Sequence, residues 1–209
     1  GADAAGGDEA ELEAALLGGA ASSDARPSLA LLAAQIRAPA VAVFLVFAAT
    51  LSVFPALTAL AEPAGRADDD GGSGGGLFAA LFAPLLFLEF NVFDTAGRAS
   101  GGVVPSPGGK ALAAVAVARF GFVPCFLLGS LAGSPGAPGL RASYVPFLVM
   151  APFAYSNGLV ATLAMGAAAP LVKPADRELA GNLMALALTL GLAAGSLLSF
   201  ALVATLKYI

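Results

Sequence analysis

Asp94 and Arg98 are the residues of this chain whose types and spacing could do chemistry. They lie four positions apart, so a helix places the carboxylate and the guanidinium on one face. Both lie in an apolar run from about residue 77 to residue 104, which is long enough to cross a bilayer. Because a charge inside a membrane is costly unless it faces a partner or a water-filled cavity, this pair is the candidate functional site.

Residue chemistry leaves two interpretations of the pair open. A carboxylate accepts hydrogen bonds from hydroxyls and a guanidinium donates in a rigid fork, so Asp94 and Arg98 together suit a polyhydroxylated permeant. Alternatively, the two side chains form a structural ion pair that closes a helix bundle.

Two other ionisable residues lie in apolar segments. Helical spacing predicts that Glu89 faces away from Asp94, and we interpret Arg119 as a structural charge.

The composition of the chain indicates an integral membrane protein. Of its 209 residues, 58% are hydrophobic and 11% are charged, whereas soluble domains carry about 25% charged residues. The mean hydropathy is +0.87. The net charge of −4 and the lack of a basic tract argue against nucleic acid as a partner.

The residue types also argue against catalysis and against bound cofactors. The chain has no His and one Cys, which excludes a disulfide within the chain and a His/Cys metal site. No nucleophile and base form a recognisable set, and no glycine-rich run ends as a phosphate-binding loop does. We predict that the protein is not an enzyme, holds no metal and needs no cofactor.

Five apolar segments must position the pair, and each is long enough to be a spanning helix. They run over about residues 38–61, 77–104, 111–131, 144–168 and 179–206. No alternating strand pattern competes with them, so the predicted fold is an all-α bundle of five transmembrane helices in the lipid bilayer. Residues 1–37 are rich in Ala and Gly with scattered acids, and we expect a mobile cytoplasmic loop or tail there.

The basic residues outside these segments predict that the N-terminus lies in the cytoplasm. This orientation puts five basic residues on the cytoplasmic side and three outside, as the positive-inside tendency requires. The five are Arg26, Arg37, Lys110, Lys173 and Arg177, and the three are Arg66, Arg141 and Lys207.

Five blocks of sequence, in order along the chain, resemble the equilibrative nucleoside transporters. The run FNVFDTAGR, which begins at Phe90, resembles the eighth transmembrane helix of that family. The other blocks resemble its seventh, ninth, tenth and eleventh helices: FPALT from Phe54, ARFGFVP from Ala118, FAYSNGL from Phe153 and VKPADRELAGNLM from Val172. Together the blocks cover nearly everything from about residue 30 onwards.

The resemblance implies the C-terminal half of a fold similar to the major-facilitator transporters. It implies facilitated diffusion of a nucleoside or nucleobase by alternating access, in which two halves rock about a midplane site. Asp94 and Arg98 match the positions that contact the ribose in the family. Asn91 lies one turn before Asp94 on the same face, so we include it in the predicted substrate site.

The resemblance also implies two gates and a location. Phe54 and Pro55 match the extracellular gate region of the family, and Glu178 matches a cytoplasmic gate carboxylate. The plasma membrane is the membrane that the family implies.

The first six helices of the family have no counterpart in this sequence. We therefore expect a truncated or split product that needs an N-terminal six-helix half to enclose a permeant. The alternative is a membrane remnant or interaction protein that does not transport and packs through small-residue helix faces. Gly191 and Gly195 form a GxxxG pair of that kind, which we interpret as packing within the bundle rather than as a dimer face.

Overall fold

The computed structural model describes residues 28–61, 73–131 and 144–206 of the chain. Nearly all of them are helical, and we number the α-helices in chain order: α1 (Leu29–Gln35), α2 (Arg37–Val53), α3 (Ala56–Ala59), α4 (Ser73–Gly101), α5 (Gly109–Ala118), α6 (Phe122–Leu131), α7 (Val145–Gly166) and α8 (Arg177–Leu206). Short 3₁₀ turns occupy Arg119–Gly121, Ala169–Leu171 and Pro174–Asp176.

Five described segments are long and apolar enough to cross a membrane. They are Arg37–Ala59, Leu77–Gly101, Gly109–Leu127, Val145–Leu171 and Pro174–Thr205. This confirms the predicted all-α fold with five membrane-spanning segments.

Two of the spans are interrupted, which the hydropathy pattern did not predict. The first span breaks between α2 and α3, where Phe54 is extended with φ −103° and ψ 131°. The cause is Pro55, because a proline disfavours the helical conformation of the residue before it and has no N–H to donate. The third span passes through the 3₁₀ turn Arg119–Gly121 between α5 and α6.

The end of the predicted mobile segment is helical, so the assignment of residues 1–37 to a loop is wrong for its last part. Residues 1–27 lie outside the described residues, but α1 follows directly. Ser28 caps this helix, since its Oγ accepts from the N–H of Leu31 at 3.2 Å. Leu32 and Ile36 are buried among apolar residues of the other helices. That burial of apolar surface favours the helix over a loop.

Helices α2 and α8 pack through small residues. A Cβ added to Gly191 would meet the carbonyl oxygen of Phe44 at 2.5 Å, and one added to Gly195 would meet that of Ala48 at 2.6 Å. Only glycine allows backbones to approach this closely. The GxxxG pair therefore serves packing within the bundle, as the sequence interpretation held.

Buried polar residues lie between two apolar clusters in the bundle. The first cluster gathers residues near the starts of α2, α5 and α8 and near the end of α7, and it includes Leu112, Ala164 and Met184. The second is aromatic and includes Phe82, Phe126 and Met150. On α2, Thr50 lies between Val46 of the first cluster and Val53 of the second. Asn157 lies between the clusters in the same way on α7, and both residues are buried.

Candidate functional site

Asp94 and Arg98 form an ion pair on one face of α4. The Nε of Arg98 donates to Oδ2 of Asp94 at 2.7 Å, as the spacing predicts. The carboxylate side chain is 14% exposed and the guanidinium side chain 48% exposed. The Nη groups of Arg98 have no protein partner among the described residues, so they remain available as donors to a ligand.

Asn157 and Thr50 complete the surroundings of Asp94, and sequence reasoning missed both. The Nδ2 of Asn157 on α7 donates to Oδ1 of Asp94 at 2.7 Å. The hydroxyl of Thr50 on α2 donates to Oδ1 of Asn157 at 2.7 Å. Asp94 is therefore bonded at both oxygens, once by its own helix and once by a neighbouring helix.

Arg119 lies at the far end of the same hydrogen-bonded chain. Its side chain is buried, with 2% of its surface exposed. Nη2 donates to Oγ1 of Thr50 at 2.8 Å and approaches Oδ1 of Asn157 at 3.4 Å. Nη1 donates to the carbonyl of Phe153 at 2.8 Å and to Oγ of Ser156. All these partners are neutral, and no carboxylate in the described part of the chain contacts Arg119.

The position of Arg119 follows from the interrupted third span. The residue begins the 3₁₀ turn between α5 and α6, where it reaches across to α7. Its guanidinium also lies over the ring of Phe153, 4.9 Å from the ring centroid, which stabilises a cation in an apolar setting. We call Thr50, Asp94, Arg119 and Asn157 together the polar layer. The interpretation of Arg119 as a structural charge is consistent with this burial but omits its link to Asp94.

An aromatic group lies beside the polar layer. The ring of Phe54, at the break between α2 and α3, stacks on Phe90 with centroids 4.1 Å apart and planes inclined by 11°. It also contacts Phe87, at 4.8 Å between centroids. Since Phe90 lies one turn before Asp94, Phe54 covers α4 directly next to the ion pair, whereas its neighbour Pro55 is exposed.

The other two predicted residues do not join the ion pair. Asn91 is exposed on α4 and its Nδ2 donates to the carbonyl of Phe87 in the same helix, at 2.7 Å. Glu178 is exposed in the first turn of α8. Gly195 of α8 lies against Ala48 of α2. Glu178 lies 17 residues before Gly195 on α8, which is about 25 Å along the helix axis at 1.5 Å per residue.

The chemistry of the site is that of recognition by hydrogen bonds. A carboxylate with free lone pairs and a guanidinium with free N–H groups point to one open face of α4, which suits a neutral ligand with several hydroxyls. Among the described residues, no group of three or more His, Cys, Asp or Glu side chains could hold a metal ion.

Comparison with known sequences gives a consistent family assignment. The profile of the nucleoside transporter family matches residues 16–204. Equilibrative nucleoside transporter 1 of Mus musculus is 37% identical over 178 residues, which cover 80% of this chain and 37% of that protein. Equilibrative nucleoside transporter 2 of Homo sapiens is 35% identical over 181 residues, which cover 84% of this chain and 38% of that protein. The chain thus spans little more than a third of the length of these curated relatives.

Proposed function

The chain belongs to the equilibrative nucleoside transporter family of multi-pass membrane proteins, and we propose that it takes part in nucleoside transport by facilitated diffusion. The observation that carries the proposal is the ion pair of Asp94 and Arg98 inside a membrane span. It stays partly exposed, although burial against the bundle would be expected of a purely structural pair. The names of the relatives support the same activity.

The ribose is the part of a nucleoside that fits this pair. Each oxygen of Asp94 accepts one hydrogen bond from the protein, from Asn157 or from Arg98. Each therefore keeps a lone pair for a sugar hydroxyl. The free Nη groups of Arg98 donate to hydroxyl or ring oxygens of the same sugar. Since free nucleobases carry no sugar, this site favours nucleosides over nucleobases.

A second half completes the transporter in this proposal. The ion pair lies on an open face of α4, and enclosing a permeant requires a surface opposite that face. We assign this surface to an N-terminal six-helix half, against which the present helices rock in alternating access. Phe54 and Pro55 form the outer gate and Glu178 belongs to the cytoplasmic gate. The proposed location is the plasma membrane, which labelling of intact cells with an impermeant biotin reagent tests.

Uptake of radiolabelled uridine and adenosine tests the proposal. Three preparations are compared in cells that lack nucleoside uptake: this chain alone, a six-helix N-terminal half of a family member alone, and the two together. The combined pair is then measured with Asp94→Ala, with Arg98→Ala and with Asp176→Ala. The last variant is a control, because Asp176 is a carboxylate outside the long helices.

We expect uptake from the combined pair that Asp94→Ala and Arg98→Ala abolish and Asp176→Ala leaves intact. Uptake by this chain alone would overturn the need for a second half. If every preparation inserts into the membrane and none takes up either nucleoside, the transport proposal fails.

A further inference from the structure

We propose that Arg119 is a positioning residue of the nucleoside site, which orients the amide of Asn157 and thereby holds the carboxylate of Asp94 in place for the ribose. The ribose part of this inference rests on the proposed function. Arg119 itself is too deeply buried to touch a permeant on the open face of α4, so it acts through its neighbours.

The two ends of the Asn157 side chain meet groups of opposite hydrogen-bonding type. Its oxygen accepts from Thr50 at 2.7 Å and faces Nη2 of Arg119 at 3.4 Å, while its nitrogen donates to Asp94 at 2.7 Å. A guanidinium has donors only and a carboxylate acceptors only. The amide therefore fits between Arg119 and Asp94 in one orientation, and a turn of 180° would bring like groups together at both ends.

Thr50 strengthens this preference. Its hydroxyl accepts from Nη2 of Arg119 at 2.8 Å, so its own hydrogen must point elsewhere. The two acceptors within reach are Oδ1 of Asn157 at 2.7 Å and the carbonyl of Val46 at 2.8 Å. The amide oxygen of Asn157 therefore faces a second donor, which Thr50 shares with its own helix, and buried hydrogen bonds in such a chain reinforce one another.

The consequence for Asp94 is a fixed carboxylate. With Oδ1 bonded to Asn157 and Oδ2 bonded to Arg98, the carboxylate cannot rotate without breaking one of two short bonds. Arg119 also contributes a second positive charge, which reaches Asp94 through neutral groups. Arg98 binds Asp94 through Nε alone, so its Nη groups stay free for a ligand while the ion pair is kept.

An exchange of residue types tests the orientation without any transport. Asn157→Asp places a carboxylate against Asp94, and like charges in a poorly hydrated site are destabilising. We expect the melting temperature of the purified chain in detergent to fall by about 5 °C. Adding Asp94→Asn removes the repulsion, because the amide now at position 94 donates to the carboxylate at position 157. That carboxylate still faces the guanidinium of Arg119. The double variant should recover at least half of the loss.

Substrate selectivity tests the effect on the ribose. In the transporting pair, KM is measured for uridine and for 2′,3′-dideoxyuridine, which lacks the 2′- and 3′-hydroxyls of the sugar and keeps the 5′-hydroxyl. Arg119→Met and the milder Thr50→Val should raise KM for uridine by about tenfold, the value of one hydrogen bond to a charged group. They should leave KM for the dideoxy compound nearly unchanged. Ser52→Ala is the control, because this buried hydroxyl on α2 bonds its own helix at Ala49.

The possible outcomes separate the two proposals. An equal rise in KM for both compounds would mean that Arg119 is merely structural, and a double exchange no more stable than Asn157→Asp alone would overturn the orienting role. If the unsubstituted pair takes up no nucleoside, the proposed function fails together with the ribose part. The melting temperatures then still test the contact between Asn157 and Asp94 on which the orienting role of Arg119 depends.

Discussion

Gly158 of α7 lies directly against the backbone of Asp94 on α4. A Cβ built on Gly158 would come within 1.9 Å of the carbonyl oxygen of Asp94 and 2.8 Å of the nitrogen of Arg98. Gly97 meets α7 in the same way, since a Cβ built on it would come within 2.1 Å of the carbonyl oxygen of Tyr155. This crossing brings Asn157 within reach of Asp94, so the glycines that pack the bundle also assemble its polar site.

Gly158→Ala should therefore damage both the fold and the site. The added methyl meets backbone atoms, which cannot rotate away as a side chain can, so the two helices must separate. We expect a loss at the upper end of the range for overpacking, about 3 kcal/mol, together with the loss of nucleoside uptake. Thermal unfolding of the chain in detergent measures the first effect.

Gly166→Ala is the matched control for this prediction. Gly166 ends the same helix, and a Cβ there would meet nothing within 4 Å. We expect no loss of stability, because alanine is the better helix former. Equal melting temperatures for the two variants would contradict the close crossing of α4 and α7.

The sequence could predict the membrane spans and the ion pair because both depend on local patterns. Apolar length alone identifies a spanning segment, and a four-residue spacing places Asp94 and Arg98 side by side whatever surrounds them. The breaks at Phe54 and Arg119 depend on local backbone conformation that hydropathy does not report. A proline after Phe54 was the visible signal for the first break.

The partners of Asp94 could not be predicted in the same way. Thr50 and Asn157 are separated by more than a hundred residues, and their hydrogen bond exists only because α2 and α7 are neighbours. Each was visible as a polar residue in an apolar span, which is a costly placement without a partner. The sequence could not say which partner, because Arg119 could equally have faced the cytoplasm.

Gly195→Ala should weaken the contact between α2 and α8 without changing the oligomeric state. Its Cβ would meet the carbonyl oxygen of Ala48 at 2.6 Å and Cβ of Leu51 at 2.7 Å, so we expect about 1–3 kcal/mol of destabilisation. Gly181→Ala, on the same helix with open space around it, is the control. Thermal unfolding and light scattering of the purified chain measure the two properties. Dissociation of a dimer by Gly195→Ala would show that this face packs between chains.

Phe54→Ala should open the site to the outside. The stacked pair of Phe54 and Phe90 is worth about 0.5–1.5 kcal/mol beyond the area that it buries. Losing this contact should shift the equilibrium between the closed and the open outer gate by about two- to tenfold towards the open state. The reporter is Asn91→Cys in a Cys125→Ser background, which removes the single native Cys. The rate at which an impermeant thiol reagent modifies the reporter from outside should rise by that factor in the transporting pair.

Phe78→Ala is the matched control for the gate. Phe78 also belongs to α4 and pairs with another ring, Phe82, at 5.6 Å between centroids. It lies four turns before the ion pair and is 41% exposed, so its loss should leave the modification rate unchanged. The same acceleration in both variants would mean that general loosening, rather than a gate at Phe54, controls access.

Glu178→Gln should slow transport without weakening the fold of this chain. Glu178 is exposed at the first turn of α8, so the melting temperature of the chain alone should scarcely change. As a cytoplasmic gate carboxylate it would pair with a basic residue of the N-terminal half, and removing its charge should reduce uridine uptake by about fivefold or more. Asp176→Asn removes a nearby negative charge and should leave uptake intact. A fall in uptake of the same size in both variants would assign the effect to the local net charge and remove Glu178 from the gate.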